Sequence, residues 1–441
     1  MAIIKLKKGI DLHLKGGSAK KNVANISGNS FAIVPDDFHG IVPRLDVKEG
    51  DKVKSGTLLF HDRTYPEIFV TSPISGTIKE ICRGERRKIQ SIIIENDSSS
   101  SSEEFDVSSN PKEILLRSGL WASISQRPYD IVPSPSVRPR DIFVTAFDSA
   151  PLAPSFEILL EGKEQYLQKG IDILASLTDG KVFIGLSPKS KDYNLNGCIE
   201  NIFDGPHPAG NVSVQIANLK PVNKGEVVWC LDLVTVARIG ELFTTGKVPF
   251  DTVVAVSGSE VKDPHYISCT IGQDLASILK DNVTEPIETK RIISGNVLTG
   301  SKSSFEAHLR FPYHQITVIP ENQSHDEFMG WASLSPKKFS VYHSFFSWLN
   351  MKKERALDAK INGAERAIVM AGEYDKMLPM DIYAEFLIKS IIAFDIDKME
   401  QLGIYEMAPE DFALCEFADT SKLELQKIVR EGLDKLRKEM E

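Results

Sequence analysis

Short runs of apolar residues alternate with turn residues over the first hundred positions, a pattern that predicts β-strands. Glycine at positions 50 and 76 lies between such runs, where its tolerance of positive φ favours tight turns. The pattern therefore predicts an all-β module near the N-terminus. The predicted strands are residues 31–34, 57–60, 77–81 and 91–94.

The pattern changes at about residue 141 to apolar strands that alternate with helical stripes. Residues 142–145 and 181–185 read as buried strands, and Leu167, Ile171 and Leu174 mark one face of a helix between them. Residues 212–216 alternate apolar and polar side chains and are predicted as a third strand. Strands that alternate with helices favour an α/β domain with a parallel sheet.

Two further patterns occupy the second half of the chain. Strand-like runs at 252–256 and 291–295 flank a short helix that opens at 272, a compact α+β arrangement similar to a β-grasp module. From about residue 335 the chain is predicted to be helical, with Pro409, Glu410 and Asp411 at one helix start. The amphipathic stripes within 379–394 and 425–440 are interpreted as packing faces rather than membrane anchors.

These patterns divide the chain into five parts. They are an N-terminal segment with the all-β module (1–97), a serine-rich loop (98–110), the α/β domain (111–250), the β-grasp-like module (251–330) and a helical C-terminal domain (331–441). The five consecutive serines from Ser98 bury no apolar surface, which is typical of a linker or exposed loop.

Composition and charge exclude several function classes. The 441 residues carry a net charge of −9, made up of +4 over residues 1–97 and −13 over the remainder, so a nucleic-acid partner is not expected. No run of about 18 apolar residues and no signal peptide occurs, which predicts a cytoplasmic chain without a membrane span. The five cysteines form no CxxC motif, so we expect free thiols, no metal site and no iron–sulfur cluster.

Two loops are candidates for binding. Residues 126–140 contain four prolines and carry Tyr129 and Arg138, while residues 203–211 place His207 between prolines and glycines. An extended connector and a rigid turn are the structural alternatives for these two loops. Walker, dinucleotide-binding and GxSxG motifs are absent, so the residues taken alone assemble no catalytic set.

The two halves of the all-β module, 47–56 and 70–78, resemble the lipoyl/biotinyl barrel-sandwich fold. In carrier domains of that family a lysine lies on the hairpin between the halves. The corresponding hairpin here, residues 61–67, has no lysine, so a swinging-arm carrier is disfavoured and a structural module is predicted.

Several sequence segments, taken in their order along the chain, resemble segments of the A subunits of the Na⁺-translocating NADH:quinone reductases. The resemblance covers essentially the whole chain. The segments are residues 3–12, the barrel-sandwich halves with 83–87, residues 142–153, the 205–210 loop and residues 254–258. The family is related to the Rnf complex C subunit and to the flavin-carrying NADH-binding subunit of complex I. The resemblance implies that 111–250 is a degenerate flavin domain and that 251–330 is an SLBB-type β-grasp module.

The resemblance implies a peripheral subunit on the cytoplasmic side of the membrane, in an ion-translocating oxidoreductase. Because the chain lacks CxxC and a glycine-rich flavin loop, NADH, FAD, FMN and the 2Fe-2S cluster are assigned to partner subunits. Quinone binding and docking to the quinone-site membrane subunit remain for this chain. A purely structural scaffold and a flavin-dependent NADH oxidoreductase are the alternatives.

Quinone recognition needs an apolar, aromatic slot and one or two donors for the carbonyl oxygens. Loop context and residue type suggest candidates for the walls and donors of such a slot. They are Phe38, His39, Tyr129, Arg138, Phe203 and His207.

Overall fold

A computed structural model describes residues 2–321, 338–342 and 345–440. The strands are β1 (Ala2–Lys5), β2 (Ala19–Asn25), β3 (Ser30–Ile33), β4 (Pro43–Leu45), β5 (Lys52–Val53), β6 (Leu58–Asp62), β7 (Phe69–Thr71), β8 (Gly76–Arg83), β9 (Ile89–Asn96), β10 (Ser125–Arg127), β11 (Asp141–Thr145), β12 (Val182–Leu186), β13 (Cys198–Asp204), β14 (Val228–Asp232), β15 (Asp251–Ser257), β16 (His265–Thr270), β17 (Lys290–Ser294), β18 (Ser301–Ser303) and β19 (Gln315–Pro320). The helices are α1 (Pro111–Ser118), α2 (Phe156–Leu159), α3 (Leu167–Ser176), α4 (Val212–Leu219), α5 (Leu233–Thr245), α6 (Leu275–Leu279), α7 (Tyr374–Met377), α8 (Ala384–Ala393), α9 (Ile396–Gln401), α10 (Ala413–Ala418) and α11 (Leu425–Met440).

The N-terminal module packs two small antiparallel sheets face to face. One has the order β3-β9-β8-β5 and the other β4-β6-β7, and Leu59, Phe60 and Ile92 are fully buried between them. Gly50 turns the chain at positive φ, and a Cβ at Gly76 would meet the Glu95 carbonyl oxygen at 2.1 Å. The predicted barrel-sandwich module is confirmed.

The α/β domain is built on a six-stranded sheet with the order β1-β13-β12-β11-β14-β10. Every pairing is parallel except that of β10 with β14, and β1 comes from the N-terminal segment to pair with β13. Helices α3 and α5 cover one face of the sheet and α4 the other. Gly170 and Gly240 let α3 and α5 approach closely, because a Cβ on either would lie about 2 Å from a backbone oxygen.

The prediction of a strand at residues 212–216 is wrong, because these residues form the first part of α4. Their polar members are buried as well as their apolar ones: Ser213 binds Arg127, and Gln215 donates to Thr145. A helix buried on several sides loses the polar stripe that would reveal its period. The third parallel strand is β13, which lies before the 205–210 loop.

The third module is a six-stranded mixed sheet with the order β18-β17-β19-β15-β16-β2. Helix α6 packs on it through Leu275, Ile278 and Leu279. Strand β2, from the N-terminal segment, forms one edge by pairing in parallel with β16. The predicted β-grasp-like fold is confirmed, and the chain as a whole has the predicted multidomain α/β and α+β class.

The C-terminal helices share one core with the α/β domain. Helix α11 buries Leu425, Val429, Leu433 and Leu436, and this cluster extends to Phe203 of β13. The prediction that the chain is helical from about residue 335 is wrong for 351–373, which form no α-helix, and 331–337 lie outside the described residues. None of the described helices is long and apolar enough to cross a bilayer.

Candidate functional site

The carboxyl ends of β11 and β14 form the switch point of the parallel sheet, where α/β folds usually bind ligands. In this protein, side chains from β14 and from the third module occupy the space at these strand ends. Asp232 caps α5 by accepting the Thr235 N–H at 2.7 Å and lies 3.3 Å from His314 Nε2. Gln315 donates to the Pro151 carbonyl at 3.3 Å. The usual nucleotide position is therefore occupied by the protein's own side chains.

The 205–210 loop packs against the loop that follows β11. His207 is 3% exposed, and its Nδ1 lies 3.0 Å from the Ser149 hydroxyl, which also accepts the Gly210 N–H at 2.8 Å. The backbone N–H of His207 donates to Asp11 at 2.9 Å. Its Nε2 has no hydrogen-bond partner among the described residues. Burial lowers the pKa of His207 to about 4, against a smaller opposing effect of Asp11.

We predict that His207 makes the fold acid-sensitive. Because the pKa of His207 is below the 6.5 of an unfolded chain, the unfolded state binds more protons between about pH 4 and 6.5. Stability therefore falls as pH falls through that window. From pH 7 to pH 4 the wild type should lose roughly 3 kcal/mol more free energy of unfolding than the variant His207→Asn. Urea titrations of both proteins at each pH measure the difference, and parallel pH curves would contradict the prediction.

A crevice with a cavity volume of about 40 Å³ opens where the barrel-sandwich module, the α/β domain and the third module meet. Phe38 and Phe311 stack face to face with ring centroids 5.3 Å apart and form one wall. Phe250 and Arg238 also line it. The remaining lining residues are Ile33, Val70, Thr71, Gly119, Leu120, Ser123, Pro249 and Ile271.

Ion pairs hold the modules together around this crevice. Asp37, next to Phe38, accepts a hydrogen bond from Arg310 Nε at 2.6 Å and one from the Phe311 N–H at 3.1 Å. Arg238, on α5, is 3% exposed, and its Nε and Nη2 have no hydrogen-bond partner among the described residues. The crevice thus combines aromatic walls with one buried cationic donor.

Phe38 alone among the six predicted site residues lines the crevice. His39, its neighbour, instead lies with Nε2 2.8 Å from Asp434 of α11. Tyr129 packs edge-on against Tyr405, and its carbonyl accepts from Arg430 of α11 at 2.9 Å. His39 therefore lies where α11 meets the barrel-sandwich module, and Tyr129 lies where α11 meets the α/β domain.

The other three predicted residues lie apart from the crevice and from one another. Arg138 donates to the Ser176 and Thr178 carbonyls at the end of α3, at 2.9 and 3.3 Å. Phe203 is buried in the core shared with the C-terminal helices. His207 lies at the carboxyl end of β13. The structure thus brings together Phe38, Arg238 and Phe311 rather than the six candidates.

Three family models match successive parts of the chain: the NqrA N-terminal barrel-sandwich hybrid domain at 4–97, the NqrA second alpha/beta domain at 108–248, and the NQRA C-terminal domain at 253–304. The chain is 36% identical over 451 residues to the A subunit of the Na(+)-translocating NADH-quinone reductase of Vibrio anguillarum, covering 99% of this chain and 100% of that one. The same subunit of Saccharophagus degradans is 36% identical over 452 residues, with 99% and 100% covered. The chain belongs to this NqrA family.

Membership confirms the predicted family and its assignment to a subunit of an oxidoreductase complex. A solved NAD⁺-reducing [NiFe]-hydrogenase in the air-oxidized state has a TM-score of 0.30 and 16% identity over 41% of this chain and 40% of that chain. That similarity is too low to carry an argument. In the described part of the NqrA chain, no three His, Cys, Asp or Glu side chains are grouped to hold a metal ion.

An ion cluster that the sequence does not predict joins the α/β domain of this NqrA chain to its C-terminal helices. Arg127 is fully buried, and its Nη1 donates to Asp130 at 2.6 Å while Nη2 donates to the Ser213 hydroxyl at 3.2 Å. Glu410 lies 3.5 Å from Arg127, and Asp411 is buried behind it. The sequence identifies these acids only as first-turn residues of a helix, because nothing local shows that they face Arg127.

Proposed function

We propose that this chain is a peripheral subunit of a Na⁺-translocating NADH-quinone reductase, that it contributes to quinone binding, and that it docks to the membrane subunits without a flavin or iron–sulfur cluster of its own. Its relatives are named as A subunits of a Na(+)-translocating NADH-quinone reductase, and this name supports both the complex and the quinone. The observation that carries the quinone role is the crevice lined by Phe38, Phe311 and Arg238.

The crevice has the chemistry that a quinone ring requires. Two stacked phenylalanines and several aliphatic side chains offer apolar contact to the faces of a planar ring. The guanidinium of Arg238 supplies N–H groups that have no partner in the described structure and suit a carbonyl oxygen. A few convergent donors in a mostly apolar pocket are typical of small-molecule sites.

The geometry of the sheet argues against the alternative of a flavin-dependent NADH oxidoreductase. A flavin in this fold class would be expected at the carboxyl ends of β11 and β14. Asp232, His314 and Gln315 fill that position with hydrogen bonds between the two domains. We therefore assign NADH, FAD, FMN and the 2Fe-2S cluster to partner subunits.

We also propose that the chain is held on the cytoplasmic side of the membrane by its partners, chiefly by the membrane subunit that carries the quinone site. Helix α8 and the residue before it show several large apolar side chains to solvent, among them Tyr383, Phe386 and Ile392. Exposed apolar groups gathered in one place are typical of surfaces that bind another protein. We also propose that the chain has the five parts predicted from its sequence.

Titration of the purified chain with a short-chain ubiquinone, followed by tryptophan fluorescence, tests the quinone role. Phe311→Ala is expected to weaken binding about tenfold, because it removes one stacked wall of the crevice. Phe183→Ala is the matched control, since Phe183 stacks on Phe143 at 5.0 Å within the α/β domain, away from the crevice. The control should bind like the wild type.

Two results would contradict the quinone role. One is a wild-type chain that shows no saturable response to quinone, and the other is equal binding by Phe311→Ala and the wild type. The scaffold alternative makes a separate prediction for the whole complex: Phe311→Ala would assemble with its partners and leave quinone reduction unchanged. Measuring quinone reduction by the assembled variant complex therefore separates the two functions.

A further inference from the structure

Arg238 is a buried guanidinium in the wall of the crevice, and its Nε and Nη2 have no hydrogen-bond partner among the described residues. Three carboxylates lie near enough for their charge to act on it, but each is engaged elsewhere. Asp232 accepts from the Thr235 N–H and contacts His314, while Glu241 and Asp251 both pair with Lys163, at 2.8 and 2.6 Å. None of them makes a hydrogen bond or salt bridge to Arg238 in the described structure.

Two other basic groups near the crevice already contact carboxylates. Arg310 pairs with Asp37, and His314 pairs with Asp232. Burial lowers the pKa of Arg238, yet a guanidinium remains protonated in proteins. A buried cation without a direct partner is costly, and an anionic oxygen that binds to it recovers a charge-assisted hydrogen bond. Arg238 therefore places at the crevice wall two buried nitrogens, Nε and Nη2, that have no hydrogen-bond partner in the described structure.

We propose that the crevice selects planar quinonoid ligands that carry an anionic oxygen over neutral ones, and that Arg238 is the residue that makes this selection. The inference rests on the proposed quinone role and adds the charge of the preferred ligand. The aromatic walls bind the ring in either case. Only the guanidinium distinguishes an oxyanion from a carbonyl or ether oxygen, because hydrogen bonds between charged partners are stronger than those to neutral groups.

A matched pair of naphthoquinones tests the selection on the full chain. The probe 2-hydroxy-1,4-naphthoquinone is ionised at pH 7.5, whereas 2-methoxy-1,4-naphthoquinone has nearly the same shape and is neutral. The wild type is expected to bind the hydroxy compound about tenfold more tightly than the methoxy compound. Raising the salt concentration should leave most of this preference, because a buried charge is screened less than an exposed one.

The variant Arg238→Met assigns the preference to a residue. Methionine keeps much of the side-chain length, removes the charge, and takes no hydrogen-bond partner from another group in the described structure. We expect the two compounds to bind this variant within about twofold of each other. Circular dichroism and the melting temperature verify that it is folded, and Arg238→Lys provides a second charged variant that should retain part of the preference.

The outcomes separate this inference from the proposed function. Equal binding of the two compounds to the wild type overturns the selection but leaves the quinone site in place. A preference that persists in Arg238→Met overturns the role of Arg238. Failure of the wild type to bind either naphthoquinone or the short-chain ubiquinone rejects the quinone site itself.

Discussion

Replacement of Arg127 by methionine, Arg127→Met, is expected to lower the free energy of unfolding by about 3 kcal/mol at pH 7.5. The guanidinium is the cation of a buried cluster, bound to Asp130 at 2.6 Å and to Ser213 at 3.2 Å, with Glu410 at 3.5 Å. Removing it takes a counter-charge from the buried Asp411 and from the partly buried Asp130, whereas removal of an exposed arginine costs little. Equilibrium urea unfolding measures the change.

Arg138→Met is the matched control, because Arg138 lies in the same proline-rich segment. Its side chain is 53% exposed and contacts the exposed Asp179 and two backbone carbonyls. We expect a loss below about 1 kcal/mol for this variant. Equal losses for Arg127→Met and Arg138→Met would show that the buried cluster contributes no more than a surface contact.

The loss in Arg127→Met should also depend on pH in a defined direction. Burial raises the pKa of Asp411, and burial followed by repulsion from Asp411 raises the pKa of Glu410. Between the unfolded and the raised folded pKa values the folded state holds the extra proton, so the contribution of these two carboxyl groups to stability falls as pH rises. Without the Arg127 cation, stability falls more steeply as pH rises. The decrease in the free energy of unfolding caused by Arg127→Met should therefore be larger at pH 8 than at pH 5.

The barrel-sandwich and β-grasp folds were predictable because the sequence signals for their strands and turns lie within short segments. Every second residue is buried in the first part of β8 and in the middle of β9, and glycines mark turns that require positive φ or close backbone approach. Helix α4 was not predictable in this way, because its polar residues face buried partners from other elements. Hydrophobic periodicity reflects which faces of a segment are exposed to solvent. A segment that is buried on several sides therefore does not show whether it is a helix or a strand.

The crevice was less predictable than the fold, because its walls come from distant parts of the chain. Phe38 follows a turn of the barrel-sandwich module, Arg238 lies within α5, and Phe311 follows the β17–β18 hairpin. Phe38 was predicted from its turn and its residue type. One sequence signal points to Arg238: with Asp232 it interrupts the largely apolar run of residues 227–239, and its charged side chain lies on a buried helix.

Asp37→Ala is expected to weaken the junction at the crevice and quinone binding together. Asp37 is the buried acceptor for Arg310 and for the Phe311 N–H, and its loss leaves a half-buried guanidinium unpaired. We expect a decrease of about 2–3 kcal/mol in the free energy of unfolding. Because Phe311 is then no longer fastened against Phe38, the affinity for a short-chain ubiquinone should fall about tenfold.

Asp36→Ala controls for this change at the neighbouring position. Asp36 pairs with Lys88 at 2.7 Å on the surface, where a salt bridge contributes less than about 1 kcal/mol. Urea unfolding and quinone titration of both variants should therefore show a large effect only for Asp37→Ala. If Asp37→Ala lost stability but bound quinone like the wild type, the fastening of Phe311 would be irrelevant to the ligand. Loss of both properties in parallel, with Asp36→Ala unchanged, ties the ligand site to the contact between the barrel-sandwich and β-grasp modules.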